Sequence, residues 1–179
     1  PTQVVLSGQR EAVYAVAALL TGQTGAESTF AQGAASIKAL QVSHAFHSPL
    51  MAPMLNDFRQ VAESITYHPP TLPLIANVTG TLAGADIATA DYWVRHVSEA
   101  VRFADGIATL RDQGVTAFLE IGPKPTLLGL AQMEYEGRGP AHEKADKMDA
   151  SHAARRSPRW LPSLRQNHSD WQQMLMILA

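Results

Sequence analysis

An α/β fold is what this sequence predicts, and three observations carry the prediction. Short apolar runs of strand character alternate along the chain with stretches whose apolar residues recur on one helical face. Gly, Pro, Asn and Ser mark the junctions between them. The 46% hydrophobic and 17% charged residues are those of an ordinary globular protein, and 179 residues suffice for one modest core with at most an appendage.

Val4-Val5-Leu6, closed by Ser7-Gly8, predicts a buried strand over 3–7. A helix is expected over 11–20, with Val13, Val16, Ala17 and Leu20 on one face. Residues 21–35, rich in Gly, Ser, Thr and Gln, read as a surface loop, and 37–42 as a second strand. Ser48 is a candidate N-cap with Pro49 at the first helical position, where a missing N–H costs nothing. Met51, Met54, Leu55, Phe58 and Val61 then form a one-sided apolar stripe. Leu74-Ile75-Ala76 predicts a buried strand after Pro69-Pro70, ending at a turn over 77–80. Helices are expected over 91–96, 101–112 and 126–133, with a strand over 117–121. Residues 134–158 are polar and charged and read as a flexible insertion. Trp160-Leu161-Pro162 re-engages the body, and Ser169 is placed to cap a closing helix.

A formal charge of -2 gives no reason to expect nucleic acid or an anionic membrane as partner. The charge is uneven, since half of the 14 Lys and Arg lie between Arg138 and Arg165. Without cysteine there is no disulfide framework, thiolate nucleophile or Cys-based zinc site, which suits a cytoplasmic location. No apolar run approaches a membrane span, and nothing resembles a signal peptide. The chain opens at Pro1 and runs straight into strand-like sequence, so it is expected to be cut from something longer.

Chemistry concentrates in Ser43-His44-Ala45-Phe46-His47-Ser48-Pro49-Leu50-Met51. A histidine at a strand-to-helix junction can be held rigidly with its ring facing a cleft, as a general base must be. It can equally be a hydrogen-bonded structural residue, and spacing alone leaves both open. A metal at His44 and His47 is not expected, because Pro49 keeps the pair outside the helix and no third ligand lies nearby.

The segment from Val42 to Met51 closely resembles the His-Ala-Phe-His motif of acyltransferase domains in modular polyketide synthases. Further blocks occur in the order and approximate spacing of that family. They are Val4-Val5-Leu6-Ser7-Gly8, Ala76-Asn77-Val78-Thr79-Gly80, Tyr92-Trp93-Val94-Arg95-His96 and Phe118-Leu119-Glu120-Ile121-Gly122-Pro123. Trp160-Leu161-Pro162-Ser163-Leu164-Arg165 with Asp170-Trp171 resembles the linker that wraps back over such domains. Nearly the whole chain is covered except 134–158.

The resemblance implies a division of the chain. Residues 1–42 would belong to a ferredoxin-like small subdomain and 43–133 to the C-terminal part of a hydrolase-like large subdomain. Residues 134–158 would be an insertion, and 159–179 a post-acyltransferase linker with a terminal helix. It also implies a reaction. A malonyl-type unit passes from coenzyme A to a serine and then to the phosphopantetheine thiol of an acyl carrier protein, with no cofactor or metal bound by the domain. His47 would be the general base, because serine is too weakly acidic to attack a thioester unaided. The other ring nitrogen would be anchored by a backbone carbonyl, which alignment places at His96. Phe46, with His44, would set acyl selectivity. A phenyl ring fills the space that the methyl of methylmalonyl needs, a discrimination worth about 1–3 kcal/mol.

The family's nucleophile sits in a Gly-His-Ser-x-Gly elbow upstream of the histidine motif, and no Gly-x-Ser-x-Gly occurs in this sequence. The expectation is therefore a fragment inactive alone, whose partners include the N-terminal half of the domain, the carrier protein and the adjacent ketosynthase. The arginine that would meet the malonyl carboxylate also belongs upstream, and Arg95 reads as structural. A non-catalytic module that positions carrier or ketosynthase domains is the alternative, to which the basic Arg155, Arg156 and Arg159 are suited. An unrelated α/β hydrolase would need an acidic residue beside His47, and none stands out.

Overall fold

The computed structural model describes residues 3–21, 37–40, 42–137 and 157–178. Helix α1 spans Arg10–Thr21, as the periodicity predicts, but it buries none of its residues. Val13 and Ala17 are half-buried, while Val16 and Leu20 lie exposed. The strands predicted over 3–7 and 37–42 do not form within the described residues, and Gln41 lies outside them. A strand exists through its ladder of hydrogen bonds to a neighbour, and Val4, Val5 and Val42 stand largely exposed instead.

Ser48 is the cap that the sequence predicts. Its backbone is extended and its Oγ accepts from the Leu50 N–H at 3.3 Å. The cap opens a 3-10 turn over Pro49–Met54, and only then does helix α2, Leu55–Glu63, begin. Pro53 inside the turn removes a second amide donor, which disfavours regular α-helix there. The tighter winding rotates the stripe. Met51 is buried and Met54, Leu55 and Phe58 are half-buried, but Val61 turns outward and Ala62 is buried in its place.

Ile75 makes a single antiparallel bridge to Leu82 rather than a full strand. The connecting turn closes through Gly80 N–H to the Ala76 carbonyl at 2.7 Å. Gly80 has φ 71°, and a Cβ there would lie 2.6 Å from Asp105 Cβ, so glycine is required on both counts. Helix α3, Ala90–Ser98, is capped by Thr89 and buries Tyr92, Val94 and Val97. Helix α4 spans Phe103–Asp112 and buries Gly106 and Ile107.

Strand β1, Ala117–Glu120, pairs in parallel with β2, Arg159–Pro162, with Phe118 opposite Trp160. The Trp160-Leu161-Pro162 segment thus re-engages the body as a strand. Helix α5, Leu127–Gly137, runs four residues into the insertion predicted over 134–158, a correction to that boundary. The helix continues because Tyr135 packs edge-on against both Phe118 and Trp160, whose rings stack 4.6 Å apart. Residues 138–156 of the predicted insertion lie outside the described residues. Helix α6, Asp170–Leu178, follows Ser169, whose carbonyl accepts from Gln173 N–H. The buried Gln173 amide donates to the Pro162 carbonyl at 3.0 Å.

The described residues form two contact units. One comprises 3–4, 75–82, 102–137 and 157–178, with Phe118, Ile107, Leu128 and Ala131 in its core. The other comprises 5–21, 37–40, 42–74 and 83–101, with Met51, Ala62, Ile87, Tyr92, Val94 and Val97. Among the described residues no helix is long and apolar enough to cross a membrane.

Candidate active site

His47 carries the most unusual backbone in the second unit. Its φ is 62°, in the left-handed region that costs a non-glycine residue roughly 1–2 kcal/mol. Three hydrogen bonds hold the turn around it. The His47 N–H donates to the Val97 carbonyl at 2.9 Å. Ser7 Oγ donates to the Phe46 carbonyl at 2.6 Å. Ser48, 2% exposed, donates its hydroxyl to the Ala45 carbonyl at 2.7 Å. The residue after the histidine thus closes the turn and starts the next helical segment at once.

The half-buried imidazole of His47 has its Nδ1 2.8 Å from the backbone carbonyl of Glu99. A carbonyl only accepts, so Nδ1 bears the proton and the neutral ring keeps its lone pair on Nε2. This is the arrangement of a general base whose orientation is fixed from behind. The expected orienting residue, His96, is corrected here: the carbonyl is that of Glu99, three residues further on. Helix α3 ends at Ser98 and Glu99 is extended, with ψ 152°, so its carbonyl leaves the helical direction and becomes available. Glu99 itself is anchored to the last turn of α3. Its N–H donates to the Arg95 carbonyl at 2.8 Å, and its carboxylate takes two bonds from the Arg95 guanidinium, at 2.8 and 3.1 Å. Arg95 is thus paired with Glu99 at the end of α3.

His96 serves through its ring. The imidazole stacks on Tyr92 at 6.0 Å and meets the edge of the His47 ring at 5.7 Å. Burial, and second the charge of His47, push the His96 pKa below the ordinary value of 6.5. At neutral pH it therefore stands as a neutral aromatic wall beside the candidate base.

Phe46 lies 46% exposed, with its ring 6.4 Å from those of both His47 and His44. His44 is exposed and its Nδ1 sits 2.9 Å from Ser43 Oγ. The structure therefore brings His44, Phe46, His47 and His96 into one row of rings. Sequence reasoning missed Glu99 and Ser7. Glu99 acts through a backbone group that any residue carries, and Ser7 lies far from the motif in sequence.

The acyl transferase domain family matches residues 1–179. A polyketide synthase of Streptomyces halstedii, GfsA, is 44% identical over 132 residues, which cover 74% of this chain and 2% of that protein. The phenolphthiocerol synthesis polyketide synthase Pks15/1 of Mycobacterium marinum is 45% identical over 131 residues, covering 72% of this chain and 6% of its own. Among solved structures, the acyltransferase domain from the second module of the salinomycin polyketide synthase superposes with a TM-score of 0.75 at 38% identity. That match covers 96% of this chain and 34% of the other. A malonyl-CoA:acyl carrier protein transacylase of Xanthomonas oryzae shares the fold, with a TM-score of 0.67 at 22% identity, over 94% of this chain and 44% of that one. The chain thus spans a small fraction of these synthases and a third to less than half of the solved acyltransferase chains. The α/β class read from the alternation of elements is the class of these neighbours, and by the family match over its whole length this chain belongs to the acyl transferase domain family.

Proposed function

We propose that this chain supplies the histidine side of a serine–histidine acyl-transfer site in a polyketide synthase. The unit transferred is malonyl, taken from coenzyme A and delivered to the phosphopantetheine thiol of an acyl carrier protein. The observation that carries the reading is the Nδ1 hydrogen bond of His47 to the Glu99 carbonyl, which leaves Nε2 as the basic atom.

In the first half-reaction Nε2 takes the proton of the serine hydroxyl as its oxygen attacks the thioester carbon. The carbon–sulfur bond breaks, and the imidazolium returns the proton to the departing coenzyme A thiolate. In the second, Nε2 takes the proton of the carrier thiol, sulfur attacks the serine ester, and the serine leaves with that proton. The serine ester forms with release of coenzyme A before the carrier thiol reacts, which gives ping-pong kinetics, and the base is regenerated in each half-reaction. Glu99 and Val97 help to hold His47 in one orientation through both half-reactions.

The serine is not in a Gly-x-Ser-x-Gly sequence of this chain, and the chain matches 34% of the salinomycin domain. We therefore assign the nucleophile to a segment outside this sequence, so the chain alone transfers nothing. The phenyl ring of Phe46, exposed beside His47, supports malonyl over methylmalonyl. The test is to offer radiolabelled malonyl-CoA to the chain alone and to a fusion joining it to the serine-bearing segment of a related acyltransferase domain. Label is expected on the fusion, chased onto carrier protein, and none on the chain alone. A labelled isolated chain, or an unlabelled but folded fusion, overturns the proposal.

A further inference from the structure

We infer that Ser7 is a positioning residue for His47, acting through the peptide unit between Phe46 and His47. A peptide bond is planar, so its carbonyl oxygen and its N–H point in opposite directions from one rigid plate. Both ends of this plate are tied. The Phe46 carbonyl accepts from Ser7 Oγ at 2.6 Å, and the His47 N–H donates to the Val97 carbonyl at 2.9 Å. With the plate pinned, the Cα of His47 is placed with it, and the φ of 62° then sets the direction of its Cβ and so of the ring.

The left-handed conformation at His47 is uncommon for any residue but glycine, so the surrounding hydrogen bonds must hold it. Val97 holds one side of the plate from the end of α3. Ser7 holds the other from a segment 39 residues earlier in sequence, and it supplies the only tie described on that side. The same plate carries Phe46, so the hydroxyl sets the phenyl ring and the imidazole together. Ser7 touches no reacting atom in the proposed mechanism. Its role in catalysis rests on the reading of His47 as base, but its role in geometry does not.

Phe46-His47 is the sole Phe-His pair in the sequence. Chain labelled with carbonyl-13C phenylalanine and 15N histidine therefore gives one correlation from this peptide unit. Long-range 1H–15N spectra of the imidazoles report the His47 tautomer in the same sample. In Ser7→Ala the correlation is expected to shift, and the ratio of Nδ1–H to Nε2–H tautomer to fall roughly two- to tenfold, the loss of one hydrogen bond. Ser7→Thr, which keeps the hydroxyl, is expected to restore both. Spectra of Ser7→Ala that superpose on the wild type overturn the inference, as does a Ser7→Thr variant that behaves like Ser7→Ala. Should Ser7→Ala unfold, Ser7→Cys keeps the volume with a weak donor, and the same two spectra decide. Neither measurement needs acyl transfer, so failure here is distinct from failure of the proposed reaction.

Discussion

His47 and Glu99 meet through a 2.8 Å hydrogen bond between an imidazole Nδ1 and a backbone carbonyl, across 52 residues of sequence. The acceptor survives any side-chain replacement at Glu99. Glu99→Ala breaks only the exposed ion pair with Arg95, and exposed, solvent-screened pairs contribute little to stability. The expected outcome is a melting temperature within a few degrees of wild type and an unchanged His47 tautomer. Glu99→Pro removes the N–H that holds the residue to the Arg95 carbonyl, and is expected to cost about 1–3 kcal/mol and disturb the tautomer. Denaturant titration and imidazole NMR check both.

Phe46 gives a selectivity test. In the fusion bearing the serine segment, Phe46→Ser is expected to raise methylmalonyl use relative to malonyl by about 10-fold or more, within the 1–3 kcal/mol of one methyl. Competition between the two coenzyme A esters reads the ratio directly. An unchanged ratio removes Phe46 as a determinant of selectivity.

His96 makes stability depend on pH. Its folded pKa lies below 6.5 because burial, and then the His47 charge, oppose its protonation. The unfolded chain therefore binds the proton more readily. The stabilising contribution is complete above the unfolded pKa and is lost as pH falls through the folded one. The melting temperature is expected to drop on going from pH 7.5 to 5.5. In His96→Phe, which keeps a ring on Tyr92, the drop is expected to be smaller.

Glu120 ties β1 to α5. Its carboxylate accepts from the N–H groups of Thr126, Leu127 and Leu128, the last at 2.8 Å. Desolvation acts to raise its pKa, but the donors from Leu127, Leu128 and Thr126 prevail and hold it below 4.5. Its contribution is therefore present above the unfolded pKa and fades as pH falls through the folded value. Glu120→Ala is expected to cost about 1 kcal/mol at neutral pH, like the loss of any helix cap, and less at pH 3. Denaturant titration at the two pH values checks it.

Much of this site was legible in the sequence where the signal is local. Ser48 before Pro49 announced its cap, and the apolar spacing over 11–20 announced α1. The motif around His47 singles out the imidazole that the structure places on a left-handed turn. Pairings over distance were not legible. β2 meets β1 from about 40 residues away, and no local pattern says that Trp160 lies opposite Phe118. The left-handed backbone at His47 carries no glycine to advertise it. The choice of Glu99 over His96 depends on where α3 stops, because only a carbonyl past the helix end is free to turn toward the imidazole.

In the proposed reaction Nε2 of His47 is the base of acyl transfer. Single-turnover acylation by malonyl-CoA, followed across pH in the fusion and in its His47→Ala variant, tests it most directly. The variant is expected to acylate roughly 10²–10⁴-fold more slowly and to lose the histidine inflection of the pH profile. A folded variant that acylates at the wild-type rate, with the inflection intact, would contradict it.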